Sequence, residues 1–123
     1  MARILIVDDE PGIRCLLQRL LEAQGHELVL AENGWSGLEL FCRETPDVII
    51  LDLKMPGIDG FTTLEQVRRL NPSQRVIILT GAGTLEIEQQ VRALGVTDYL
   101  EKEDSLHRVG ESVRQVLGVM DPS

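Results

Sequence analysis

Cysteine is scarce, with two in 123 residues. Cys15 and Cys42 are too few and too far apart for a zinc cluster or a disulfide framework. Each falls inside a helical pattern, where a free thiol is expected to act as a small buried hydrophobe. Positive charge is also in deficit: 12 Lys plus Arg stand against 20 Asp plus Glu, a formal charge of −8. A surface that tracks phosphates needs clustered cations, so this balance excludes nucleic acid as a partner of the domain. No apolar run approaches the ~20 residues of a membrane span, and no charged start leads into an apolar run as in a signal peptide. These absences point to a soluble cytoplasmic chain with no membrane partner. With 43% apolar and 26% charged residues, the chain is neither disordered nor fibrous. Its length fits one domain that hides roughly two-thirds of its extended surface on folding. The expected organisation is one domain over residues 1–120 and a short tail, 121–123.

Four apolar runs stand out: Ile4-Leu5-Ile6-Val7, Leu28-Val29-Leu30, Val48-Ile49-Ile50-Leu51 and Val76-Ile77-Ile78-Leu79, with a weaker fifth at Tyr99-Leu100. None alternates polar with apolar, which marks strands covered on both faces of a parallel sheet. Two of them share the tetrapeptide Val-Ile-Ile-Leu, as two equivalent central strands would. Between the runs lie helical stripes. Ile13, Leu16, Leu17, Leu20 and Leu21 form the first, stopped by Gly25. Asn33 caps a second, with Trp35, Leu38 and Cys42 on its inner face, ending before Pro46. Phe61, Leu64, Val67 and Leu70 form a third; Ile87, Val91 and Leu94 a fourth, closed by Gly95. Leu106, Val109, Val113 and Val116 form a fifth, capped by Ser105. Strand then helix, five times over, predicts a doubly wound α/β domain: an open parallel sheet with helices on both faces.

In such sheets the site lies at the carboxyl ends of the strands. Asp8, Asp9 and Glu10 follow the first run, Asp52 the third and Thr80 the fourth, and Lys102 stands two residues past Leu100. Carboxylates crowded together repel, so a cation must neutralise them or their pKa values rise. Hard oxygen donors without His or Cys favour Mg²⁺, and a metal with open positions attracts phosphate. Lys102 adds positive charge for that anion. An aspartate beside a metal and a lysine is a nucleophile toward phosphorus.

Asp8-Asp9, Asp52 within Leu51-Asp52-Leu53-Lys54-Met55-Pro56-Gly57-Ile58-Asp59-Gly60, Thr80-Gly81 and Tyr99-Leu100-Glu101-Lys102 together resemble the receiver domain of response regulators (CheY-like) over essentially the whole chain. The resemblance implies a five-stranded, flavodoxin-like sheet of order 2-1-3-4-5 with five helices. It makes Asp52 the phosphoacceptor for a histidine kinase or a phosphotransfer protein, in a signalling switch that is an enzyme only toward its own phosphorylation and dephosphorylation. Mg²⁺ would be held by Asp9, Asp52 and the backbone carbonyl of Lys54, with Asp8 acting through a water. Lys102 would pair with one phosphoryl oxygen and Thr80 with another, and Tyr99 would change rotamer with Thr80. The partners implied downstream are an output protein or domain, or a second copy forming a homodimer.

Two other classes fit less well. An Asp-nucleophile phosphohydrolase needs an Asp-x-Asp motif and a cap insertion, but Leu53-Lys54 follows Asp52. A flavin carrier of the same strand order needs a hydroxyl-rich phosphate loop where Asp8-Asp9-Glu10 stands. Some residues carry structural expectations only. His26 and His107 read as surface histidines, Trp35 as helix-to-sheet packing, and Gly57 and Gly60 as turn geometry. One departure from the family pattern is Glu103, where a proline usually follows the lysine. A cis bond without proline would cost ~3–4 kcal/mol, so Lys102–Glu103 is expected to be trans.

Overall fold

The computed structural model describes residues 2–55, 57–81, 83–102 and 107–120. Strands β1 (Arg3–Val7), β2 (Glu27–Ala31), β3 (Val48–Leu51), β4 (Arg75–Thr80) and β5 (Asp98–Glu101) alternate with helices α1 (Pro11–Ala23), α2 (Gly34–Glu44), α3 (Gly60–Leu70), α4 (Leu85–Ala93) and α5 (His107–Met120). All neighbouring strands pair in parallel, in the order β2-β1-β3-β4-β5. The expected α/β architecture and strand order are therefore observed. The Lys102–Glu103 bond, the Ser105 cap and the place of Leu106 lie outside the described residues.

Period-two alternation divides the apolar runs between two cores. Ile4, Ile6, Val48, Ile50, Ile77 and Leu79 face α1 and α5, where they meet Leu17, Leu21, Val109, Val113 and Val116. Leu5, Val7, Ile49, Leu51, Val76 and Ile78 face α2, α3 and α4. The two Val-Ile-Ile-Leu strands lie side by side but one residue out of step, with Ile49 opposite Val76 and Leu51 opposite Ile78. Equivalent letters of the repeat therefore serve opposite faces. The edge strand β2 is only half-buried along Leu28, Val29 and Leu30.

The helix ends follow local chemistry. Asn33, Asp59 and Thr84 accept bonds from the first-turn N–H groups of α2, α3 and α4. Pro11 opens α1, and Gly25 and Gly95, both at positive φ, follow the ends of α1 and α4. The expected inner face of α2 is corrected. Gly34, Gly37 and Phe41 are buried there, whereas Trp35 is 68% exposed and Cys42 is exposed. The small residues lie inward because the helix approaches its neighbours closely: a Cβ on Gly37 would stand 3.0 Å from Val7, and one on Gly34 would stand 2.6 Å from Ile58. Cys15, Leu16 and Leu70 also face solvent rather than the core, each lying just off the stripe that packs.

Arg68 on α3 ties three segments together. Its guanidinium donates to the carbonyls of Leu94 (2.6 Å), Gly95 (2.9 Å) and Gln74 (2.6 Å), and more weakly to Asn71. Arg68→Ala strands several of these carbonyls, a loss of about 2 kcal/mol. Its thermal melt is expected about 8 °C below wild type; an unchanged melt would show that water replaces the guanidinium without loss.

Candidate functional site

β1 pairs with both β2 and β3, so the strand order reverses beside β1 and leaves a crevice at its carboxyl end. The first residues past β1 and β3 sit there. Asp8 and Asp52 are 2% and 3% exposed, each held by a ladder bond from its own N–H, to Ala31 O and Val7 O. Each carboxylate also folds back onto the chain: Asp8 Oδ1 accepts from Glu10 N (2.9 Å), and Asp52 Oδ1 accepts from Lys54 N (3.2 Å). The remaining oxygens face Lys102, whose Nζ lies 3.0 Å from Asp8 Oδ2 and 3.1 Å from Asp52 Oδ2.

Asp9 is partly open to solvent beside this pair. Asp8, Asp9, Glu10 and Asp52 each offer an oxygen, all within 4.8 Å of one another. Burial pushes the carboxyl pKa values of both Asp8 and Asp52 above the ordinary 3.8, against the pull of their backbone bonds and of Lys102. Burial opposes the Lys102 ammonium too, but the bonds to Glu10 and Asp8 and the charge of Asp52 outweigh it and hold that pKa above its usual value.

Four sequence-predicted residues, Asp8, Asp9, Asp52 and Lys102, thus meet at one place. Thr80, 1% exposed, ends β4 and lines an adjoining groove of about 370 Å³ with Lys54, Met55 and Ile87. The Lys54 side chain is exposed. Tyr99 lies on the α2–α4 side of the sheet with its ring in the core. Its hydroxyl is buried and has no hydrogen-bond partner among the described residues. A Cβ on Gly83 would strike that hydroxyl and stand 3.2 Å from Thr80 Cγ2, which puts Thr80, Gly83 and Tyr99 in one packed group.

Two residues join the site that sequence reasoning left out of it. Glu10 Oε1 is 2.7 Å from Lys102 Nζ, and Arg14 donates to the backbone carbonyl of Asp8 (2.6 Å). Glu10 was visible as a third acid after β1, and Pro11 marks it as the residue before a helix, but its reach to Lys102 has no local signal. Gly57, at positive φ, has the expected turn role. Gly60 does not: it is a close-packing residue, since a Cβ there would strike the backbone carbonyl of Asp52.

The family model described as response regulator receiver domain matches residues 4–114. Sporulation initiation phosphotransferase F of Bacillus subtilis is 35% identical over 115 residues, covering 94% of this chain and 93% of that protein. The DNA-binding transcriptional regulator NtrC of Escherichia coli is 37% identical over 99 residues, which cover 80% of this chain and 21% of the regulator. The crystal structure of a response regulator receiver domain protein from Clostridium thermocellum superposes with a TM-score of 0.90 at 31% identity, over 98% of this chain and 97% of that one. With the fold, the strand-end acids and these likenesses in agreement, the chain belongs to the response regulator receiver domain family of two-component systems.

Proposed function

We propose that Asp52 is the phosphoacceptor of this receiver domain and that Lys102, Thr80 and Tyr99 convert its modification into a change of partner binding. The observation that carries the reading is the buried Asp52 carboxylate, held by the Lys54 N–H and facing a lysine at 3.1 Å inside a cluster of four acids. One Asp52 oxygen attacks the phosphorus of a phosphohistidine on a kinase or phosphotransfer protein. The P–O bond forms as the P–N bond breaks, and the imidazole nitrogen keeps the electron pair and takes a proton from solvent. Water attacking the same phosphorus later returns the carboxylate and releases phosphate. Lys102 meets one phosphoryl oxygen, and the Thr80 hydroxyl meets another.

The donor set is all oxygen, with no His or Cys, and suits Mg²⁺. Asp9, Asp52 and the Lys54 carbonyl would hold the ion directly, with Asp8 acting through a water. When bound, it neutralises charge on the carboxylates and on the transferring phosphoryl oxygens. Calorimetric titration is expected to show weak binding that Asp9→Ala weakens more than Asp8→Ala; two harmless substitutions would remove the metal site from the reading.

The readout is the face formed by α4, β5 and α5. There Thr80 and Tyr99 pack together, and the edge strand β5 can pair with an output partner or a second copy. Residues 1–120 form the receiver unit in this reading, and 121–123 a tail. A cytoplasmic location fits a kinase partner; among the described residues no helix is long and apolar enough to cross a membrane. Intact mass after incubation with acetyl phosphate tests the proposal. One added phosphoryl group that requires Mg²⁺ is expected, and an unchanged mass with both present would refute it.

A further inference from the structure

Glu10 occupies the N-cap of α1, yet its side chain makes no capping bond. The carboxylate instead reaches Lys102, in the shortest of that ammonium's three contacts at 2.7 Å. An ammonium has three N–H donors, and here Asp8, Asp52 and Glu10 take one each. A phosphoryl group on Asp52 uses up the carboxylate charge that Lys102 now faces and sets the new anion farther out, so the ammonium must shift outward while Asp8 and Glu10 still hold it. Asp8 is buried, with its other oxygen fixed to the Glu10 N–H. Glu10 is 58% exposed, so water readily takes the place of its partner.

The geometry points to Glu10 as a positioning residue for Lys102. It parks the ammonium over the carboxylates of the unmodified protein and releases it to the phosphoryl oxygens, which slows modification. The inference rests on Asp52 being the phosphoacceptor. Metal binding is a separate role open to the same carboxylate, since Glu10 belongs to the four-acid cluster.

Initial rates of modification by acetyl phosphate with Mg²⁺, compared among wild type, Glu10→Gln and Glu10→Asp, test it. Aspartate keeps the charge but is one methylene shorter, and as a good N-cap its carboxylate is drawn toward the first turn of α1. Both variants are expected to react about three- to fivefold faster, the range of an exposed ion pair. Acceleration by Gln alone would mean that Glu10 merely repels the anionic donor, and would overturn the positioning role. Calorimetry on the donor-free proteins should show Mg²⁺ affinity unchanged; a clear loss would make Glu10 a metal ligand instead. In ¹⁵N-lysine-labelled unmodified protein, the Lys102 ammonium signal should weaken in both variants, because its protons exchange faster once the third contact is lost. If wild type is not modified, the Asp52 reading itself fails. If wild type is modified and all three rates are equal, only the role of Glu10 fails.

Discussion

Asp52→Asn is expected to end phosphoryl uptake and, without metal, to make the protein more stable. The first effect follows because an amide oxygen is a poor nucleophile toward phosphorus. The second follows from the direction of the Asp52 pKa. Burial raises it, so the folded state prefers the uncharged carboxyl more than the unfolded chain does. Ionised Asp52 therefore detracts from stability at neutral pH, and wild type recovers that loss as pH falls through the raised folded value. Asparagine is neutral throughout, can still accept from Lys54 N, and leaves Lys102 with Asp8 and Glu10. No ammonium is orphaned, which is the usual penalty of breaking a buried pair. A gain in stability at pH 7, read as a higher Tm, is expected with chelator present. The gain should shrink toward low pH. Added Mg²⁺ should stabilise wild type more than the variant, by binding only where Asp52 helps to hold it. Phosphoryl uptake by the variant would move the acceptor elsewhere, and a lower melt in chelator would show that the Lys102 contact outweighs burial.

Gly60→Ala is expected to be the most damaging single-methyl change in the chain. The added Cβ would meet the backbone oxygen of Asp52 and stand 2.9 Å from its carbonyl carbon. Backbone held by ladder bonds cannot give as a side chain can. Gly60 N also donates to Leu53 O (3.0 Å), so α3 cannot retreat without losing that bond. Overpacking of this kind costs about 3 kcal/mol, and a melt roughly 12 °C lower follows. Phosphoryl uptake should also slow, since the displaced segment carries Asp52, the proposed acceptor. Gly12→Ala is the control. A Cβ there meets nothing within 4 Å and lies in the first turn of α1, so its melt should equal or exceed wild type. A Gly60→Ala melt within 2 °C of wild type, on the order of half a kcal/mol, would show that α3 is free to move.

Most of the site was legible because a parallel sheet turns strand ends into neighbours. Asp8 and Asp52 could be placed from the apolar runs before them, and Lys102 from the weak fifth run. Packing phase was less legible. Counting large apolar residues put Trp35 and Cys42 on the inner face of α2, when its close approach to β1 and α3 demands Gly34 and Gly37 there. Leu16 and Cys15 failed for a related reason: on a surface helix the buried stripe is narrower than the apolar residues available to fill it. The role of Gly60 was hidden because close approach and turn conformation call for the same letter. Glu10 was missed because its partner is 92 residues away, and nothing local shows that its carboxylate turns from the helix it precedes.

The one-residue offset between the two identical tetrapeptides makes the carboxyl rim of the sheet a staircase. Val7 pairs with Leu51, so Asp8 and Asp52 share the lowest tread. Leu51 pairs with Ile78, so Asp52 stands level with Leu79 and Thr80 is one tread higher. Thr80 in turn pairs with Glu101, and Lys102 begins a tread above both. At roughly 3.3 Å per tread, the lysine backbone starts about 6.6 Å above the carboxylates, and its four-carbon stem spans the descent. The space between the aspartate tread and the lysine is therefore set by strand register rather than by loop shape. Deleting one residue from β4 would level the first step and turn Thr80 to the opposite side of the sheet, away from Tyr99. Two strands spelled alike are in this way not interchangeable: the letter at which each meets its neighbour decides the height of the group that follows it.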